Sequence, residues 1–231
     1  MANFFNTTTA KDKDKELKPK DNTDEDKFDT SILMPKDVTY ELGKSKHDTE
    51  GRMITLHYPD LFTLSNLYVP NSGQNLDRLS YRTKEWDQDL VEYMDEYAKK
   101  TQNPVIWLGD LNVAHGALDT WNEGAKHLAK SAGTTKEERD SFENQLSYGD
   151  KYIDAFRYLH PGKGGHYTYW SQRAGNRAPN KGLRLDYFIC SQSLFQEDGR
   201  VVVRDSYMIP EQMGSDHCPV VLEIEIKAPQ K

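Results

Sequence analysis

The chain is poor in cysteine, has no long apolar run and carries no excess of positive charge, and each shortage removes a class of protein. Its two cysteines, Cys190 and Cys218, lie in or beside apolar segments without metal-type spacing. They read as small buried thiols of a reducing compartment rather than as a disulfide or a zinc site. No stretch approaches the roughly 20 apolar residues needed to cross a bilayer, and the first residues hold no apolar signal core. Membrane insertion and signal-directed secretion are therefore not expected, which leaves the nucleus, the cytoplasm or the mitochondrial matrix. The net charge of −7 argues against binding nucleic acid by bulk charge. A divalent cation or a local basic loop can still hold phosphates on an acidic chain. The glycine fingerprints of dinucleotide-binding and P-loop proteins are missing, as are internal repeats.

What remains is a 231-residue chain, 36% hydrophobic and 29% charged, long enough for one sizeable α/β core. Residues 1–34 read as a tail, because Lys11-Asp-Lys-Asp-Lys-Glu16 and Asp21-Asn-Thr-Asp-Glu-Asp-Lys27 mix charges without periodicity. Disorder is the expectation there. A single domain is expected over 35–228. Val38–Leu42, Arg52–Tyr58 and Leu61–Tyr68 have strand character, the last two joined by a Pro-Asp turn. Leu76–Lys100 places Leu79, Trp86, Leu90, Tyr93, Met94 and Tyr97 at helical spacing. Pro104 opens a buried strand, 115–133 is a long polar connection, and Thr134-Thr-Lys-Glu-Glu138 starts a helix with Phe142 and Leu146 inside. Asp150–Leu159 reads as a short helix. His166–Trp170, Leu183–Cys190, Val201–Met208 and Val220–Ile226 read as strands, the first two flanking a basic loop at 172–181. The irregular alternation favours a layered α/β sandwich of two mixed sheets flanked by helices.

Three short clusters carry the chemistry. Gly109-Asp-Leu-Asn-Val-Ala-His115 ends an apolar run, Arg184-Leu-Asp-Tyr-Phe-Ile189 holds an acid in an apolar strand, and Gly214-Ser-Asp-His-Cys-Pro-Val220 precedes another strand. Each has a structural explanation by itself, because Asp, Asn and Ser cap turns. Together, carboxylates, an amide and an imidazole at buried strand ends are costly to desolvate and suggest a site. Asp110 is placed to orient or deprotonate water, Asn112 to contact a phosphate, and Asp186 to hold the His217 imidazole. Tyr68 ends its strand just before Pro70-Asn-Ser-Gly73, where a phenol can meet a phosphate. Oxygen donors without cysteine point to Mg2+ or Mn2+ for metal-assisted phosphodiester hydrolysis.

The order of these strings, with His47-Asp-Thr-Glu-Gly-Arg52 and Tyr68-Val-Pro-Asn-Ser-Gly73, resembles the exonuclease III family of abasic-site endonucleases, within the endonuclease/exonuclease/phosphatase superfamily and nearest its eukaryotic branch. The resemblance runs from about Val38 to Ile226. It implies cleavage of double-stranded DNA 5′ to abasic sites, 3′ exonuclease or 3′ phosphodiesterase activity, a monomer, and other repair proteins as partners. By residue it implies that Tyr68 and Asn71 contact the target phosphate. Asp110 serves the attacking water or the leaving group, Asn112 the transition state, and Asp186 orients a phosphate-binding His217. It further implies a metal set of Asp216, Asp110, Asn112 and His217, a sugar pocket lined by Tyr169 and Leu185, and substrate contact by Arg173. Two departures stand out. The family's opening Asn-containing strand and its Gln-Glu-Thr-like motif have no counterpart in residues 1–36, which implies weakened metal affinity and an unpaired sheet edge. Leu183 stands where an aromatic commonly closes the pocket, and Gln74 and Arg173 differ from the usual DNA-inserting pair. A catalytically weak homologue that binds DNA or a repair partner is the alternative reading.

Overall fold

A computed structural model describes residues 30–228; the expected tail lies almost wholly outside the described residues. Six strands form a mixed sheet in the order β1-β2-β3-β4-β6-β5: β1 Asp37–Thr39, β2 Met53–Tyr58, β3 Phe62–Tyr68, β4 Val105–Asp110, β5 Tyr152–Asp154 and β6 Asp186–Ser191. Strands β3 and β4 run parallel, and β4 pairs antiparallel with β6. The remaining strands, β7 Val201–Met208 and β8 Val220–Ile226, form an antiparallel pair, so the smaller sheet is not mixed. Among the described residues these two strands pair only with each other, and each leaves one ladder edge open.

Alternation along each strand sorts side chains onto two faces of the large sheet. On one face Met53, Leu67, Trp107, Tyr187 and Ile189 meet Trp86, Leu90, Met94 and Phe142 of the helices. On the other, Phe62, Ile106 and Cys190 meet Ala155, Val201 and Val203, with Leu222, Ile224 and Ile226 half-buried against them. Both cysteines are buried free thiols, as read from their apolar context. No helix among the described residues is long and apolar enough to cross a membrane.

The helical segment expected from Leu76 is interrupted. A short α1 (Leu79–Tyr81) passes through a π-helical turn, Arg82–Trp86, into α2 (Asp87–Thr101). Arg82 and Trp86, at the two ends of this turn, are both buried at 1% exposure. Helix α3 (Lys136–Leu146) starts at the expected capping box: Thr135 accepts from the Glu138 N–H, and Glu138 returns a bond to Thr135. The expected helix from Asp150 is corrected, because Tyr152–Asp154 adds β5 to the sheet edge before the five-residue α4 (Ala155–Leu159). The expected strand at His166–Trp170 is reduced to bridges at Tyr169.

Candidate active site

The parallel pairing of β3 with β4 places Tyr68 opposite Asp110, and the antiparallel pairing of β4 with β6 places Asp110 opposite Asp186. Gly109 makes the first approach feasible. Its φ is +123°, and a Cβ there would lie 2.0 Å from the Leu67 carbonyl oxygen. The chain then turns: Asp110 Oδ1 accepts from the Asn112 N–H at 2.9 Å, and Asn112 sits at φ +49°, a left-handed conformation that asparagine tolerates. The Asn112 side chain, 4% exposed, donates to the Val69 carbonyl at 2.9 Å and accepts from Asn71 Nδ2 at 2.8 Å. Two loops are thereby locked through their amides.

On the facing side, His217 Nδ1 lies 2.7 Å from Asp186 Oδ2. The bond leaves Nε2 free to face a substrate, with the ring held in one orientation. The Tyr169 ring lies 5.1 Å from the His217 ring, and a backbone bridge pairs the same two residues. Leu185 is buried beside Gly133, and Leu183 is half-buried between bridges to Thr120 and Tyr169. Tyr68 is 54% exposed, with the Arg52 guanidinium 5.0 Å from its ring centre and donating to its carbonyl at 3.0 Å. Tyr68, Asn71, Asp110, Asn112, Asp186 and His217 thus come together, with Tyr169 alongside. Arg173 lies in the exposed loop and makes no hydrogen bond or ion pair among the described residues.

Burial pushes the Asp110 carboxyl up to about 6, helped by the negative charge of Asp186 and opposed by the bond from Asn112. For His217, burial disfavours the charged ring, yet the bond to Asp186 and the charges of Asp186, Asp110 and Asp216 outweigh it and raise its pKa. Both pKa values are raised, which favours the neutral carboxyl at Asp110 and the charged ring at His217, and shifted ionisable groups in one cleft suit acid and base chemistry near neutral pH.

Asp110, Asp216 and Asn112 are oxygen donors suited to a hard divalent cation. Among the described residues, however, no group of three or more His, Cys, Asp or Glu side chains is arranged to hold a metal. The expected set Asp216, Asp110, Asn112 and His217 does not by itself close a metal site.

Several supporting residues were not legible in the sequence. Arg82, from the π-helical turn, donates to the Leu111 and Asn112 carbonyls at 2.6 and 2.5 Å and fixes the Asp110 turn. Thr168 Oγ1 accepts from the Leu185 and Asp186 N–H groups at 2.9 and 3.0 Å. Arg184 is buried between Asp119 and Asp154. Arg177 stacks on Trp170 and donates to the Ser215, Pro210 and Gln212 carbonyls, holding the loop that leads to Asp216 and His217.

The site also has relatives. Residues 36–217 match the endonuclease/exonuclease/phosphatase family. This chain belongs to that family. A DNA-(apurinic or apyrimidinic site) endonuclease of Dictyostelium discoideum is 45% identical over 193 residues, which cover 83% of this chain and 50% of the relative. An exodeoxyribonuclease of Bacillus subtilis is 41% identical over 192 residues, 83% of this chain and 71% of the relative. The crystal structure of an AP endonuclease from Leishmania major superposes with a TM-score of 0.70 at 34% identity, covering 84% of this chain and 61% of that one. The chain therefore spans about half the length of the Dictyostelium relative and a larger share of the other two.

Proposed function

We propose that this chain is a DNA repair hydrolase of its family, cutting the phosphodiester backbone of double-stranded DNA 5′ to abasic sites, with 3′–5′ exonuclease or 3′ phosphodiesterase activity on the same site. The observation that carries this reading is the convergence of Asp110, held at about 6 by burial, with the Asp186–His217 pair and the Asn71–Asn112 bridge. In this reading Asp110 takes a proton from the attacking water or gives one to the leaving oxygen, both within reach of a carboxyl titrating near neutrality. Asp186 holds Nδ1 of His217 and raises the ring's pKa, which favours the imidazolium whose Nε2–H donates to a non-bridging phosphate oxygen. Asn112, Asn71 and the Tyr68 phenol orient the phosphate. Tyr169 and Leu185 line a pocket for the extruded sugar, which is released most easily where no base is stacked. A divalent cation, Mg2+ or Mn2+, would be held in part by the oxygens of Asp110, Asn112 and Asp216 and would supply positive charge to the phosphate oxygens. A DNA substrate places the chain in the nucleus, the cytoplasm or mitochondria, with other repair proteins as partners.

That no three-donor metal cluster stands among the described residues favours one second reading, a homologue that binds abasic DNA or a repair partner without turnover. Competition among abasic duplex, intact duplex, RNA and a small phosphate ester, with Mg2+ present and fragment ends mapped, separates the two. Cutting confined to the 5′ side of the abasic site supports the enzyme. Salt-dependent binding with no cutting supports the second reading, and preference for RNA or the small ester contradicts both.

A further inference from the structure

Of the four tryptophans, Trp86, Trp107 and Trp170 are at most 2% exposed, whereas Trp121 is 44% exposed. It lies in the long loop 115–133, and its backbone N–H donates to the Gly182 carbonyl at 3.2 Å, tying that loop to the end of the basic loop 172–181. Lys181 Nζ sits 5.0 Å from the centre of the indole. Leu118, at 41% exposure, comes from the same loop. An exposed indole capped by a lysine has no role in the core, and burial does not account for it.

The charge around it is one-sided. The acids of the loop are neutralised internally: Asp119 pairs with Arg184 and Arg157, and Glu123 pairs with Arg139. Among the described residues Lys126, Lys130, Arg173 and Lys181 form no ion pair, so the two loops present uncompensated cations on a chain whose net charge is −7. The rim is also joined to the site by backbone. Thr120 bridges Leu183, Leu183 bridges Tyr169, and Tyr169 bridges His217. Three rungs of about 4.8 Å place Thr120, the neighbour of Trp121, about 14 Å from the His217 backbone. At a rise of about 3.4 Å per nucleotide, that is about four steps along a strand.

We propose that Trp121 and Lys181 form a second DNA contact, in which the indole stacks on a base or sugar about four nucleotides from the scissile phosphate and the lysine meets the adjoining backbone phosphate. This inference rests on the DNA-directed reading above and names a contact for the flank. Aromatic stacking tolerates any base, and a neighbouring ammonium adds a phosphate contact. The flank so gripped fixes the register of the abasic nucleotide over Tyr169 and Leu185.

The test uses intrinsic fluorescence, because three of the four indoles are shielded. The whole chain is titrated with abasic duplex in EDTA, following tryptophan emission together with the anisotropy of the labelled duplex. Emission should change in step with anisotropy. Trp121→Phe should bind within about twofold and lose the response, Trp121→Ala should bind about tenfold more weakly, and Lys181→Ala should lower the slope of log K against log salt by about 1. Binding seen by anisotropy with unchanged emission, or a Trp121→Ala chain of unchanged affinity, overturns the contact and leaves the DNA-directed reading standing. A chain that binds no DNA by either signal ends both.

Discussion

Asp110 carries the heaviest electrostatic load at the site. Its carboxyl is lifted from 3.8 to about 6 by burial first and by the charge of Asp186 second. An acid whose pKa is higher folded than unfolded binds more protons in the native state between those two values. Its contribution to stability is full below about 3.8, is lost as pH rises through about 6, and leaves a penalty at neutral pH. Asp110→Asn should therefore stabilise the fold by about 2 to 3 kcal/mol at pH 7.5 in the absence of added cation. Urea unfolding of both chains checks this, and the gain should vanish by about pH 4. If ionised Asp110 is the working base, the rate should rise with pH through an acid limb near 6, and Asp186→Asn should move that limb down by removing the neighbouring charge. Asp110, Asn112, Asp186 and His217 were legible in the sequence because each stands out chemically at the end of an apolar run. Arg82 and Thr168 were not, since their partners are backbone carbonyl and N–H groups far along the chain, which no local pattern marks.

At the scale of elements, the least local device is the Arg184 clamp. Its guanidinium, 1% exposed, bonds Asp119 from the long loop and Asp154 at the end of β5, and so fastens both to the residue that precedes Leu185 and Asp186. Arg184→Leu leaves buried Asp154 without a cationic partner and Asp119 with Arg157 alone, and should cost about 3 to 5 kcal/mol, read as a lower thermal midpoint. Arg184→Lys, unable to bridge both acids bidentately, should recover part of that loss. Strands β7 and β8 coincide with the stretches Val201–Met208 and Val220–Ile226 that read as strands in the sequence. β5 escaped notice because three residues, Tyr152–Asp154, cannot display a period, and they run directly into α4. The π-helical turn has no local marker either, since the partners of Arg82 are the Leu111 and Asn112 carbonyls about thirty residues away.

Across the whole molecule, function follows from strand order. β4 lies between β3 and β6, so residues separated by more than a hundred positions along the chain end on one rim, and the loop after β7, held by Arg177, brings His217 to the same place. The layered two-sheet class was legible from alternating elements; the register that sets Asp110 against Asp186 was not, because antiparallel pairing across a long insertion leaves no local signal. Metal binding is also a property of the whole. If Asp216 holds the cation, Asp216→Asn should raise the Mg2+ concentration needed for half-maximal rate in an activity titration. The central claim is that these distant residues act as one phosphodiester-cleaving centre. Single-turnover cleavage of an abasic duplex at saturating Mg2+, by the native chain, Asp110→Asn and His217→Ala, tests it most directly. The predicted result is strand cutting by the native chain and a loss of about 10²- to 10⁴-fold in each variant; equal rates in all three chains would contradict the claim.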